Sequence, residues 1–193
     1  MNIFVLDLNP YKAASYYDDV RLPKMVVELY QQLGSAVIRH GATPDQLPLT
    51  KKGTPLKGGY HNHPCTRWVG ESRDNFIWAS IHAATLAEEY GRRFDKEHFC
   101  ANGIEKLFHL RELIPCGDMT PFALAMPDEY RPDYIHVATH PFSVKTDAAG
   151  EKITHARGNL AVAAYRKYYK SKTDSKGGVR YKHTREPTWW KWH

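Results

Sequence analysis

Between residues 18 and 40 the apolar side chains Leu22, Met25, Val26, Leu29, Leu33 and Val37 recur every three or four positions. That is the repeat of one helix face, whereas a half-buried strand alternates at every second residue. The run therefore predicts an α-helix that lays a single stripe on a core, with Gly41 as its stop. Pro23 fits only the first turn or a kink, which puts the start of regular helix near Val20. Pro64 suits the first position of a second long helix, with Asn62 or His63 as its cap. Val69, Phe76, Ile77, Ile81 and Ala84 supply its apolar face as far as residue 94, with a break near Ser72. A third helix covers residues 96–114, weakened at Gly103 and ended by Pro115, and Asn159 caps a last one that runs to residue 169.

Residues 3–8 read equally well as a short buried strand or an extended arm, and Asn9-Pro10 opens a turn or short helix. The stretches 41–62 and 115–158 are loop-like, the second long enough to suggest function or movement. A chain of 193 residues buries a core without staples. The expectation is an all-α, mainly helical fold: one compact domain over residues 1–193, of about four helices with long loops and a C-terminal tail at 170–193. No apolar run is long enough to span a bilayer, so no membrane partner is expected. The first residues lack the basic and apolar regions of a secretory signal. Three cysteines (Cys65, Cys100, Cys116) at no framework spacing suit a reducing compartment, so a cytoplasmic location is expected.

Charge is unevenly placed. From Arg166 onward there are nine Lys and Arg against two acids, a surplus of seven that exceeds the whole chain's +6. A near-neutral body with a basic tail reads either as a footprint for a polyanion or as a solvated terminus. Within that tail Arg166, Lys170, Lys182 and Lys191 are candidate phosphate contacts. Trp189 and Trp190 either stack on bases or pack back on the core.

Two helix faces carry polar stripes. On the first helix Asp18, Arg21, Lys24, Glu28, Gln31 and Ser35 share one side, either a cleft that binds phosphate or a solvated face with an ordinary Lys24–Glu28 pair. Leading into the second helix, His61, Asn62 and His63 precede a face with Arg67, Glu71, Asn75, Trp78 and His82, an anion or base site or a capping cluster. Glu88 and Glu89 beside Arg92 and Arg93 read as structural ion pairs. His61-x-His63-x-Cys65 and His98-x-Cys100 lack the close ligand pairs of a zinc site, and no phosphate loop, dinucleotide fingerprint or nucleophile elbow is present. No metal or other cofactor is expected.

Several short segments, in one order, are similar to the phage endonuclease V type of pyrimidine-dimer DNA glycosylase/AP lyase. They are Arg21-Leu22-Pro23-Lys24, Glu129-Tyr130-Arg131-Pro132-Asp133-Tyr134-Ile135 and Pro187-Thr188-Trp189-Trp190-Lys191-Trp192. Lys57-Gly58-Gly59-Tyr60-His61-Asn62-His63-Pro64 resembles a run in that family's bacterial relatives. Trp68, Ser72, Asn75 and Glu89-Tyr90 resemble further phage proteins of this size. The resemblance implies a helical single domain, duplex DNA as partner, the host cytoplasm as location and no cofactor. It also implies a mechanism in which the N-terminal α-amine attacks the sugar C1′ and a helix carboxylate assists. Such an amine, with a pKa of about 7.7–8.0, keeps a useful neutral fraction near neutrality.

The chain departs from the family twice. Position 2 is Asn, which leaves Met1 to carry the amine, and the family's glutamate falls on Arg21. The carboxylate is then Asp18, Asp19 or Glu28. Glu28 is preferred because Arg21 and Lys24 share its face, while Asp18 and Asp19 sit where capping is an adequate task. The expected function is a DNA glycosylase, with or without AP lyase activity, acting on a damaged or modified pyrimidine; a non-catalytic DNA-binding module of the same fold and an enzyme acting on free nucleotides are the alternatives. The candidate catalytic set is Met1, Glu28 and Asp19. The candidate DNA contacts are Arg21, Lys24, His61, Asn62, His63 and Asn75, together with the tail residues named above.

Overall fold

Asn9 opens the first helix: its Oδ1 accepts the backbone N–H groups of Tyr11 and Lys12, and Pro10 supplies a pre-set first residue. The computed structural model describes residues 2–132, 143–146, 152–156, 158–174 and 177–190. Among these the α-helices are α1 (Pro10–Ser15), α2 (Leu22–Arg39), α3 (Pro64–Val69), α4 (Arg73–Phe94), α5 (Ala101–His109) and α6 (Gly158–Lys170). The fold is mainly helical. None of the described helices is long and apolar enough to cross a membrane.

α2 begins at Leu22 with Pro23 in its first turn, two residues later than the sequence suggests. The entrance is fixed by Asp18, whose Oδ1 accepts from the amides of Val20 and Arg21. Leu22, Met25, Val26, Leu29, Leu33 and Val37 are all buried, as their spacing requires. The second helical run does break near Ser72. α3 ends at Val69, and the Ser72 hydroxyl caps α4 by accepting from the Asn75 amide at 3.2 Å. α4 packs against α2 and α1 and forms the centre of the bundle.

The third helix is shorter than its expected span. Asp95 adopts a left-handed conformation at the end of α4, and residues 96–100 turn before α5 starts at Ala101. Gly103 is no defect there. A Cβ at that position would lie 2.6 Å from a ring carbon of Tyr30, so only glycine lets α5 approach α2.

Residues 3–6 form an extended arm rather than a strand, and Ile3, Phe4, Val5 and Leu6 are buried. Phe4 sits among Tyr17, Tyr165 and Tyr169 at ring-centroid distances of 4.9–6.2 Å, which ties the arm to α6. The segment 115–158, read as irregular from the sequence, contains a small antiparallel sheet in the order β1-β3-β2. Its strands are β1 (Phe122–Ala123), β2 (Ser143–Thr146) and β3 (Lys152–Ala156), with Phe122 opposite Ala156 and Ser143 opposite His155. Short strands with no alternating apolar pattern leave little periodic signal, which is why the sequence reading missed them.

The C-terminal segment is a docked strap. Asp19 Oδ2 accepts from the amides of Lys182 and His183 at 2.7 and 3.0 Å, and the Asp19 amide donates to the carbonyl of Arg180. The Tyr181 hydroxyl donates to the carbonyl of Tyr16, and Pro187 is buried. Among the described residues, Arg180, Lys182 and Arg185 of the tail thus lie on a segment whose backbone is held to the bundle.

Candidate active site

The polar stripe of α2 is contacted at three points by different pieces of chain. At its start Arg21 is bound to Asp18 Oδ2 at 3.0 Å, and it donates to the carbonyls of Gly178 and Lys172 in the strap. At its far end the Ser35 hydroxyl donates to the carbonyl of Gly59 and accepts the Gly59 amide at 2.8 and 2.7 Å. Gly58, at φ +69°, lies so close that a Cβ would meet the Ser35 backbone nitrogen at 2.8 Å. This approach lays the Lys57–Tyr60 loop on the helix, and Arg39 then donates to the carbonyl of His61.

Between these two contacts stands Glu28, with its side chain 7% exposed. One carboxylate oxygen pairs with Lys24 Nζ at 3.1 Å, one turn away. The other accepts the backbone N–H of Asn2 at 3.3 Å. Lys24 is 74% exposed, so the pair has one buried and one solvated member. Met1 itself lies outside the described residues.

Asn2 is held from every side. Its Nδ2 donates to the Ala125 carbonyl at 2.5 Å, and its Oδ1 accepts from Cys65 Sγ at 3.4 Å and lies 3.1 Å from the Tyr165 hydroxyl. That hydroxyl donates to the Ala123 carbonyl. Burial pushes the Cys65 thiol up to about 11, so it is a protonated donor rather than a thiolate. The clamp fixes the N-terminal arm against Glu28. One turn beyond Glu28, Gln32 is buried, and neither its Oε1 nor its Nε2 has a hydrogen-bond partner among the described residues. A buried amide left in that state is unusual in a folded chain.

Other expected site residues fall elsewhere. Asn75, expected on a DNA-facing surface, is fully buried: its amide donates to the Trp68 carbonyl and the Thr120 hydroxyl and accepts the Thr120 amide. It joins α4 to the chain ahead of β1 and cannot reach a ligand. Asp19, a catalytic candidate, is occupied by the strap and by Arg93 at 3.3 Å. Arg93 is wholly buried, also bound to Glu89 and to the carbonyls of Tyr17 and Ser15. Glu89 pairs with both Arg92 and Arg93, as the sequence reading expects.

His63 caps α3, its Nδ1 accepting the Cys65 amide. His61 and Asn62 are exposed, and Asn62 shares a cleft of about 330 Å³ with Arg39, Arg67 and Glu71. No described hydrogen bond or ion pair joins these three residues to Glu28.

The tail aromatics pack inward. Trp189 meets Tyr16 edge-on at 5.8 Å, and Trp190 lies against Tyr169 and Tyr181. Arg166 sits 4.9 Å over the Trp189 ring and donates to the carbonyl of Leu6, while Lys170 lies 6.0 Å from the same ring. Lys182 is exposed, with its ammonium unbound among the described residues, and Lys191 lies outside them. Asn2, Gln32, Cys65 and Tyr165 were missed by sequence reasoning. Only Gln32 carried a signal, its i+4 spacing from Glu28. No protein-family model, curated protein or solved structure matches the chain.

Proposed function

We propose that the chain is a DNA N-glycosylase with AP lyase chemistry, acting on a damaged or modified pyrimidine in duplex DNA through Glu28 and the α-amine of Met1. The observation that carries this reading is the bond between the Asn2 amide and the buried Glu28 carboxylate. It supports a pairing of N-terminal arm and helix carboxylate, the combination that amine-based sugar chemistry needs.

In this mechanism the neutral amine attacks C1′: the N–C1′ bond forms as the bond from C1′ to the base breaks, and the base leaves with the bonding pair and takes up a proton. An amine proton then passes to O4′ as the C1′–O4′ bond opens, which gives the iminium. Glu28 stabilises the cationic sugar and then the iminium, and removal of a C2′ proton drives elimination of the 3′ phosphate. Lys24 is paired with Glu28 and open to solvent, which supports a role in holding a phosphate next to the reacting sugar.

Substituting Glu28→Gln tests the reading. The isostere keeps an acceptor for the Asn2 amide, so duplex binding persists while turnover falls by about a hundred- to ten-thousand-fold. Equal turnover in wild type and variant would remove Glu28 from the chemistry. Loss of binding together with turnover would make it a contact residue instead.

A further inference from the structure

Two clefts, of about 410 and 370 Å³, open beside the Lys24 end of the stripe and meet at Val27, Lys51 and Phe99. Lys24 and Lys96 stand at the rim of the first, and Gln31 and Leu49 line the second. The surface has two large exposed apolar side chains, Phe99 at 56% and Leu49 at 63%. Phe99 is displayed by its neighbour: His98 Nε2 donates to the Pro23 carbonyl at 3.2 Å, and its Nδ1 accepts the Cys100 amide. With both ring nitrogens used, His98 fixes the 96–100 turn to the start of α2, and its ring stacks on Phe99 at 5.0 Å. Lys51 Nζ lies 4.3 Å from the centre of the Phe99 ring.

We infer that this surface is the DNA contact beside the reaction site, with Phe99 stacking on an unpaired base and Lys24 and Lys51 holding the flanking phosphates. The inference rests on the function proposed above and assigns its recognition to residues outside the C-terminal strap. Lys24, Lys51 and Lys96 face one acid in the clefts, Glu97, a balance that suits a polyanion. An exposed aromatic ring among flexible ammonium groups is the arrangement that binds unpaired bases without reading their sequence. Lys51 leaves the ring for a phosphate when a base takes its place. Val27 and Gln31 belong to the helix that carries Glu28, and Lys24, which lines the first cleft, is paired with that carboxylate.

The test uses the full chain with a fluorescent duplex carrying one abasic site, which leaves the opposite base unpaired, and with the intact duplex. Phe99→Ala should weaken the abasic duplex by about 5- to 150-fold, the value of one aromatic–base stack, and the intact duplex far less. Phe99→Trp should restore the preference. Lys51→Gln should weaken both duplexes alike and reduce the log–log salt slope by about one. Thermal melting is measured for each variant, and the Trp variant separates stacking from any change in the fold. Wild-type binding with no effect of either substitution overturns this surface and leaves the proposed function standing. A surface that behaves as expected in a protein giving no strand cleavage and no covalent product keeps the inference and overturns the chemistry. A wild type that binds neither duplex overturns both.

Discussion

Glu28 and Asp19 show how two carboxylates of similar sequence context receive different tasks. Both lie near cations, but Asp19 has one oxygen on Arg93 and the other on two strap amides. Glu28 instead faces an exposed lysine and the N-terminal arm. Asp19→Asn should therefore lower the melting temperature and leave turnover within a few-fold, whereas loss of turnover comparable to that of Glu28→Gln would return Asp19 to the catalytic set. Arg93 is a purely structural cation. Truncating it to alanine leaves Asp19 only its strap amides and Glu89 only Arg92, and frees two buried carbonyls, so urea unfolding should report a loss of about 1–3 kcal/mol. Unchanged stability would mean that water replaces the guanidinium. Glu28 was legible in the sequence through its three- and four-residue spacing from Lys24 and Gln31. The clamp around Asn2 was not, because its partners Cys65 and Tyr165 lie 63 and 163 residues away. Asn75 was misread for a related reason: helical spacing shows which residues share a face, but not which distant loop, here that of Thr120, covers it.

At the scale of elements, helices were legible wherever apolar periodicity and caps coincided, as at α2 and at the break between α3 and α4. The strap was not. Its charge suggests solvation, yet its fixing points are backbone groups on Asp19 and Arg21 and rings packed on Tyr16 and Tyr169, none of which net charge reveals. Deleting residues 170–193 should therefore destabilise the bundle rather than simply remove an appendage. Trp189→Ala should cost about 2–3 kcal/mol, below the range for a fully buried tryptophan, and should weaken lesion and intact DNA equally. A selective loss on lesion DNA with unchanged stability would restore the base-stacking role to the tail.

For the molecule as a whole, two buried histidines link stability to pH. Burial pushes His82 down to about 4, its bond to the Pro10 carbonyl acting in the opposite direction, and burial also lowers His98. In the unfolded chain both take up protons near pH 6.5 while the folded chain excludes them, so stability falls as pH drops from about 6.5 toward 4. His82 alone accounts for about 3 kcal/mol of that fall. Urea midpoints measured across this range should decline with acidity, and His82→Gln should flatten the decline. A midpoint independent of pH would mean that the ring is protonated in the folded state.

The central claim is that an amine at the N-terminal arm and the Glu28 carboxylate act on the same sugar. Borohydride trapping on duplexes carrying a pyrimidine dimer, an abasic site or a modified pyrimidine reads this directly. The account predicts a covalent protein–DNA product on at least one of them, with the cross-link on the N-terminal peptide. That product should be lost when the α-amine is blocked and diminished by Glu28→Gln. A protein that binds these duplexes yet traps on none, or traps equally well with its amine blocked, would contradict it.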